Sequence, residues 1–278
     1  MRIPFIAAGA LLLLASPAIA QDAAGEPSVF DGDYLSIGAG AVYGPSYAGS
    51  DDYTVYPVPL VQGSFHGVAI DPRSGGVALD FIPDPDKGVG FNLGVAAHVR
   101  MDRARQIKDP VVKSLGKLDT AVEVGPTAGA TIAQVLNPYD SLTFGTDVLW
   151  DVAGAHNGMV VDPLVSYVTP LSRGIAASLS LSAEYADSKF ADYYYSITPV
   201  GALTSGLPTF HAGGGFTKAG ANLLLGFDLD GNLENGGLAL VAVGGYSRML
   251  GDAKRSPVTS VRGDADQWLG ALGVAYTF

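Results

Sequence analysis

The chain has 278 residues, a formal net charge of −11 and no cysteine. The acidic balance excludes an extended nucleic-acid-binding surface, and the lack of cysteine excludes both a disulfide framework and thiolate chemistry. Although 48% of the residues are hydrophobic, no stretch reaches the roughly 18 consecutive apolar residues that a membrane helix requires. High apolar content without long apolar runs is typical of alternating strands.

The first twenty residues have the features of a secretory signal peptide. Arg2 gives a positive start, a short apolar run follows, and Ala18-Ile19-Ala20 forms a small-x-small cleavage site. We therefore expect cleavage between Ala20 and Gln21. The predicted organisation is a signal peptide over residues 1–20, a short periplasmic lead over residues 21–32 and one barrel domain over residues 33–278.

From residue 33 onward, apolar residues recur at every second position, which predicts strands. Each strand then has one large apolar face and one small or polar face, because successive side chains point to opposite sides. The second segment contains Pro57 and Pro59, which a strand tolerates only near an edge or a bulge. Twelve segments can be counted, or ten if residues 65–82 form one irregular strand. They are 33–43, 53–64, 65–72, 75–82, 88–100, 121–132, 142–151, 161–167, 175–185, 210–228, 236–249 and 266–278.

The last segment alternates most clearly. Its large apolar face ends on an aromatic residue, as in the last strand of bacterial outer-membrane barrels, where this pattern acts as the assembly signal. The residues predicted to form that signal are Trp268, Leu272, Val274, Tyr276 and Phe278.

Loop lengths give a second indication of a membrane barrel. The connections predicted at 83–87, 134–139, 171–173 and 229–235 are short, whereas those at 101–118, 187–209 and 250–265 are long. Short turns on one side and long loops on the other are typical of transmembrane barrels, with the long loops outside. The predicted fold is therefore an all-β, antiparallel transmembrane β-barrel with short periplasmic turns and longer external loops.

Charged residues fall repeatedly on the non-apolar face, which predicts a wet interior. The candidate lumen residues are His98, Arg100, Glu123, Asp147, Asp151 and Glu184. The first long loop carries a candidate external basic patch, formed by Arg103, Arg105, Lys108, Lys113 and Lys117. Two interpretations of this patch stay open: pairing with phosphorylated lipid head groups, or ordinary solvated loop charge.

Sequence motifs for chemistry are lacking. The four histidines lie on separate elements without a local ligand spacing, so we predict no metal site. There is no Gly-x-Ser-x-Gly and no local Ser/His arrangement, so we predict no catalytic or cofactor-binding residue. A barrel lipase whose residues assemble across strands remains the enzymatic alternative. Tyr193-Tyr194-Tyr195 and Trp150 are predicted to lie in an interfacial aromatic girdle.

Five stretches, in order along the chain, carry a family resemblance. They are Pro45-Ser46-Tyr47-Ala48-Gly49-Ser50-Asp51 with Pro57-x-Pro59; Leu115-Gly116-x-Leu118-Asp119 leading to Glu123-x-Gly125; Ser205-Gly206-Leu207-Pro208 with His211-Ala212-Gly213-Gly214-Gly215; Tyr246-Ser247-Arg248-Met249-Leu250-Gly251-Asp252-Ala253 with Ser256-Pro257-Val258; and Tyr276-Thr277-Phe278. Together they resemble the MltA-interacting protein family of Gram-negative outer membranes, also called MipA/OmpV. Lys254-Arg255 and His211 stand where the family favours acidic residues.

The resemblance implies a non-enzymatic integral outer-membrane protein without a cofactor, in contact with outer-membrane lipid. It also implies possible partners, because the founding member is described as a scaffold that links a lytic transglycosylase to a murein synthase. Other members are associated with stress response and adhesion. A narrow solute channel, and an adhesin that uses the loop at 187–209, stay open as alternatives; the oligomeric state is not predicted.

Overall fold

Twelve antiparallel strands form one closed barrel in the computed structural model, which describes residues 28–83 and 87–278. Neighbouring strands follow chain order, and β1 pairs with β12 to close the ring. The strands are β1 Tyr34–Pro45, β2 Tyr53–Phe65, β3 Val68–Arg73, β4 Gly76–Asp80, β5 Gly88–Arg100, β6 Ala121–Ala133, β7 Ser141–Asp151, β8 Met159–Ser172, β9 Ile175–Ala186, β10 Gly215–Asp228, β11 Gly237–Met249 and β12 Asp266–Thr277. The twelve-strand prediction is confirmed, and the ten-strand alternative is wrong because β3 and β4 form a separate hairpin.

The barrel wall has an apolar exterior. On β5, for example, Val89, Phe91 and Leu93 are exposed, whereas the intervening side chains point inward. Apart from one stretch of β2, the closed ring pairs its own backbone groups, which is what a hydrocarbon environment demands of a sheet. Among the described residues, no helix combines the length and apolar character needed to cross a membrane. The predicted transmembrane architecture is therefore confirmed.

The two ends of the barrel differ. At the periplasmic end, the connections 66–67, 134–140, 173–174 and 229–236 are short, and residues 84–86 of the β4–β5 connection lie outside the described part. At the external end, the loops 101–120, 187–214 and 250–265 are long. They contain five short helices: α1 Pro110–Ser114, α2 Ser188–Tyr195, α3 Pro199–Ser205, α4 Gly251–Arg255 and α5 Pro257–Ser260.

Side chains cap the starts of α1, α2, α3 and α5. Asp109 accepts hydrogen bonds from the amides of Val111 and Val112 at the start of α1, and Asp187 accepts one from Phe190 at the start of α2. Carboxylates satisfy backbone donors at a helix start that would otherwise lack partners. The sequence analysis predicted these loops but not their helices.

The external loops pack into a common apolar core. One cluster brings together side chains from four different loops: Tyr47, Ile107, Val112, Ile197, Leu207 and Val258. Burial raises the pKa of Tyr47 to about 12, so its hydroxyl stays protonated. A second cluster is centred on α2 and contains Phe190, Tyr194 and Tyr195, with Met249 at the end of β11. We call this assembly of loops the external cap.

The wall is irregular at one place. β2 pairs with β1 along Tyr53–Ser64, but pairs with β3 only at Gly63, Ser64 and Phe65. The remainder of β2 is therefore an edge on the β3 side, in agreement with the expectation drawn from Pro57 and Pro59.

Candidate functional site

Three charged side chains meet across the barrel interior below the external cap. Arg100 donates from Nε to Glu123 Oε1 at 2.8 Å and from Nη1 to Glu184 Oε2 at 2.9 Å. Arg100 lies on β5 and Glu184 on β9, with β6, β7 and β8 between them in the wall. Because these strands are not neighbours, the contact must run through the interior. All three side chains are buried.

Two histidines complete the surroundings of Glu123. His98 Nδ1 lies 3.0 Å from Glu123 Oε2, and His156 Nε2 lies 3.0 Å from Glu123 Oε1. The amide of Gly158 donates to His156 Nδ1 at 3.0 Å, so the proton of a neutral His156 sits on Nε2 and points at the carboxylate. Glu123 is fully buried, and its oxygens are met by Arg100 and by both imidazoles.

Glu184 has two further partners on β10. Lys218 Nζ lies 3.1 Å from Glu184 Oε2, and the hydroxyl of Thr217 donates to Glu184 Oε1 at 2.5 Å. We use the name interior ion cluster for His98, Arg100, Glu123, His156, Glu184 and Lys218. Buried charges are tolerated when they are paired and hydrogen-bonded, and every carboxylate of this cluster satisfies that condition.

Helix α2 covers the cluster on the external side. The guanidinium carbon of Arg100 lies 4.8 Å from the ring centroid of Phe190, a cation–π geometry. Phe190 also packs edge-on against His156, with ring centroids 5.0 Å apart. The external cap and the interior ion cluster therefore form one continuous packed region.

Comparison with known families identifies the chain. The family model of the MltA-interacting protein MipA matches residues 37–278. The chain belongs to the MipA family. A closed antiparallel barrel with an apolar exterior is the architecture of integral proteins of the Gram-negative outer membrane, so this MipA-family barrel is an outer-membrane protein.

Solved structures similar to this MipA-family chain are outer-membrane barrels. An outer membrane channel from Pseudomonas putida F1 is 13% identical to this chain, with a TM-score of 0.44. The match covers 91% of this chain and 97% of the channel's chain. The outer membrane channel DcaP of Acinetobacter baumannii is 8% identical, with coverages of 88% and 96% and a TM-score of 0.40. OprD from Pseudomonas aeruginosa is 14% identical, with coverages of 88% and 65% and a TM-score of 0.36. No curated protein gives a significant match.

The structure brings together four of the six candidate lumen residues, His98, Arg100, Glu123 and Glu184. Asp147 lies apart from them and accepts a hydrogen bond from Arg73 Nε at 3.0 Å. Asp151, at the end of β7, accepts from the amides of His156 and Asn157 and so holds the β7–β8 loop.

Four of the five residues of the candidate basic patch are exposed, and one is buried. Arg105, Lys108, Lys113 and Lys117 are exposed on the loop between β5 and β6. Arg103 is not part of that surface, since it is buried and donates to the backbone oxygen of Tyr194 at 3.1 Å. The loop therefore uses one of its cations to hold α2 and leaves four in solvent.

The predicted assembly-signal residues all face outward. Their exposed fractions are 63% for Trp268, 72% for Leu272, 48% for Val274, 46% for Tyr276 and 66% for Phe278. This orientation matches the sequence pattern, and the assembly role stays a prediction. The predicted cleavage site, Ala20 and Gln21, lies outside the described residues.

The predicted aromatic girdle is wrong for two of its tyrosines. Tyr194 and Tyr195 are not in an interfacial girdle, because α2 turns both into the external cap, where they are buried; Trp150 does face outward. His156 and Lys218 were missed as interior residues. His156 lies in a loop and gave no strand-face signal, whereas the alternation within β10 would have placed Lys218 on the inner face. No metal-binding group of three or more ligands occurs among the residues described.

Proposed function

We propose that this MipA-family barrel is a non-enzymatic scaffold that holds murein-cleaving and murein-synthesising enzymes at its periplasmic end. The observation that carries the proposal is a pair of hydrogen-bonded turns at that end with exposed apolar side chains, and the turn between β10 and β11 also exposes the carboxylates of Asp230 and Glu234. Interfaces of this composition, an apolar centre with charges at the rim, favour a protein partner with a basic surface.

The turn between β6 and β7 is held by one carboxylate. Asp140 accepts from the amide of Val135 at 2.7 Å, from the amide of Leu136 at 2.9 Å and from the hydroxyl of Tyr167 at 2.6 Å. The turn is thereby fixed, yet it leaves Leu136 78% and Tyr139 70% exposed. A rigid turn loses little conformational entropy on binding, which favours its use as a contact.

The turn between β10 and β11 repeats this design. Asp228 Oδ1 accepts from the amides of Asp230 and Gly231, both at 2.9 Å, and Leu229 is exposed. Glu234 adds another exposed carboxylate. A stable interface needs roughly 800 Å² from each partner, so a partner would have to engage several of these turns together.

The barrel interior also favours a scaffold over an open pore. The interior ion cluster joins opposite walls, and the external cap packs directly on it. A solute would have to separate buried ion pairs to pass along the axis, at a cost of several kcal/mol.

The test is capture of envelope enzymes by the purified barrel in detergent. Three versions are compared: the natural sequence, Leu136→Ser with Tyr139→Ser at the periplasmic turn, and Leu203→Ser as a matched exposed change in the external cap. We expect the natural barrel and the Leu203→Ser barrel to recover a glycan-cleaving activity and a murein synthase, and the turn variant to recover neither.

The readouts are glycan cleavage in a murein gel and identification of the captured synthase by mass spectrometry. Failure of the natural barrel to recover either enzyme would overturn the scaffold proposal. So would equal recovery by the turn variant and the Leu203→Ser barrel, because capture would then not depend on the periplasmic turns.

A gated solute channel is the second candidate, favoured by the polar interior on the periplasmic side of the cluster. There, Ser166 Oγ lies 2.9 Å from Ser180 Oγ, and Thr131 Oγ1 lies 3.1 Å from Thr143 Oγ1. Small hydroxyl side chains leave space for water. Planar-bilayer recording decides between the two: conductance steps from the purified barrel would favour the channel, and their absence would favour the scaffold.

A further inference from the structure

The barrel wall has a gap in its strand pairing between β2 and β3, which we call the opening. Within the described residues, positions 53–62 of β2 have no strand partner on the β3 side, although the same positions pair with β1. β3 is short and ends at Arg73, where the chain turns back into β4. The opening therefore lies in the external half of the wall, above the three pairs that join β2 to β3.

The pairing pattern shows why the strands separate. Phe65 and Val68 close a two-residue turn, so they form a hydrogen-bonded pair, as does Gly63 with Ile70 two positions further on. The next hydrogen-bonded pair would join Val61 to Pro72. Proline has no amide hydrogen, so this pair cannot form in full.

The opposite edge repeats the same feature. On β2, the next positions whose amide would face β3 are 59 and 57, and both are proline. Pro57, Pro59 and Pro72 therefore remove three amide donors from the two edges that face each other. Prolines at such positions also prevent the edge from pairing with a strand of another chain. A regular β-strand therefore cannot pair with these two edges in the opening.

The β2 border of the opening is apolar on both faces of the wall, whereas Asp71 and Arg73 of β3 alternate with the outward-facing Pro72 and so face inward. Facing outward, Val55, Pro57, Pro59 and Val61 on β2 and Pro72 on β3 are all exposed. Facing inward on β2 are Tyr56, Val58 and Leu60, all partly exposed. An apolar chain could therefore pass from the membrane to the interior with apolar side chains of β2 along one side, and hydrocarbon burial favours that contact.

Cations stand at the external border of the opening. Lys108 Nζ donates to the backbone oxygen of Tyr53, at the end of the unpaired edge, and the Thr54 hydroxyl donates to Gln106 Oε1 at 2.7 Å. Arg105 is exposed on the same loop segment. The opening is thus apolar along β2, and Lys108 lies at its outer rim, with Arg105 three residues earlier on the same loop and Asp51 exposed just before β2.

We propose that the opening admits an acyl chain of an anionic outer-leaflet lipid, with the phosphorylated head group held by Arg105 and Lys108. The hydrocarbon chain matches the apolar β2 border, and the head group matches the two cations of the loop beside it. This is a lipid-binding site that does not depend on the scaffold role. It gives the interior lateral access from the membrane.

The test uses tryptophan fluorescence of the mature barrel folded in vesicles whose lipids carry bromine on their acyl chains, which quench fluorescence on contact. Trp150→Phe and Trp268→Phe remove the two natural tryptophans. In that background, Leu60→Trp places a tryptophan inside the barrel at the opening. Leu224→Trp is the matched control, because Leu224 faces inward from β10, which is paired on both sides.

We expect brominated phosphatidylglycerol to quench Leu60→Trp strongly and Leu224→Trp hardly at all. Quenching should weaken when brominated phosphatidylcholine replaces phosphatidylglycerol, or when Arg105→Ser and Lys108→Ser are added. An unquenched Leu60→Trp, or equal quenching of the two tryptophans, would overturn the proposed acyl-chain entry. The proposed head-group site would be overturned if the quenching of Leu60→Trp were the same with phosphatidylglycerol and phosphatidylcholine and did not change when Arg105→Ser and Lys108→Ser were added. A gel shift on boiling verifies that each variant has folded.

Discussion

Replacement of Arg100 by methionine should remove a large part of the stability of the barrel. Arg100 is buried and pairs with two buried carboxylates, Glu123 and Glu184, at 2.8 and 2.9 Å. Methionine fills similar volume but leaves one surplus negative charge in the interior. Removing one partner of a buried ion pair costs about 3–5 kcal/mol, and we expect a loss in that range.

The assay is denaturant unfolding of the barrel folded in vesicles, followed by intrinsic fluorescence. Arg248→Met is the matched control, because Arg248 pairs with Asp266 at 3.2 Å at a partly exposed site, where such a pair contributes about 0–1 kcal/mol. Arg100→Met combined with Glu123→Gln should recover most of the loss, since the surplus negative charge is then gone and Glu184 keeps Lys218 as its partner.

Two outcomes of these unfolding measurements would contradict a stabilising role of the interior ion cluster. If Arg100→Met and Arg248→Met lower the free energy of unfolding by the same small amount, the interior ion cluster does not hold the walls together. If Arg100→Met with Glu123→Gln is less stable than Arg100→Met alone, the loss does not come from uncompensated charge.

Two further predictions concern the external cap. Phe190→Ala should lower the free energy of unfolding by about 3–5 kcal/mol, because it leaves a cavity beneath Arg100; a loss below that range in the same unfolding assay would contradict the packing. The second concerns Asp109, whose pKa burial would raise but whose bonds to Arg262 and to the α1 amides hold below its ordinary value. A depressed pKa means that Asp109 stabilises the cap above the unfolded pKa of about 3.9. That stabilisation should disappear as the pH falls through the lower folded pKa, measured as faster cleavage of the external loops by an acid-active protease. Arg262→Met should move this loss to higher pH, and an unchanged profile would contradict the assignment.

The strands could be predicted because their signal is local. In β12, large apolar residues alternate with small or polar ones, and the structure places Trp268, Leu272 and Phe278 on the outer face as that alternation requires. The prolines of β2 were equally informative, since each removes a backbone donor at its own position. Such signals need no knowledge of which strands are neighbours.

The interior ion cluster could not be predicted in the same way. Glu184 meets Arg100 across 84 positions of sequence, and their contact depends on ring closure and on the register of five strands. A shift of one residue in any of these pairings would turn the charged side chain toward lipid. Alternation therefore identified which residues point inward but not which of them meet.

The prediction that the tyrosines at 193–195 lie in an interfacial girdle was wrong for a different reason. A run of tyrosines suits a membrane interface, but here it lies within α2, whose start is marked by Asp187. Helical periodicity then turns Tyr194 and Tyr195 toward the barrel and leaves Tyr193 at the margin. An Asp three positions before Phe190 is a helix-start signal that could have corrected the prediction.

One ion pair connects the opening in the wall with the interior. Arg73 is the last residue of β3, next to the opening, and its guanidinium reaches Asp147 on β7. β3 and β7 are separated in the wall by β4, β5 and β6, so this contact also crosses the interior. It ties the end of the β3–β4 hairpin to β7, while Pro72 lacks the amide hydrogen that the next pair with β2 would need. Two features thus accompany the opening: Pro72 lacks an amide donor at the edge of β3, and the ion pair between Arg73 and Asp147 links the end of β3 to β7.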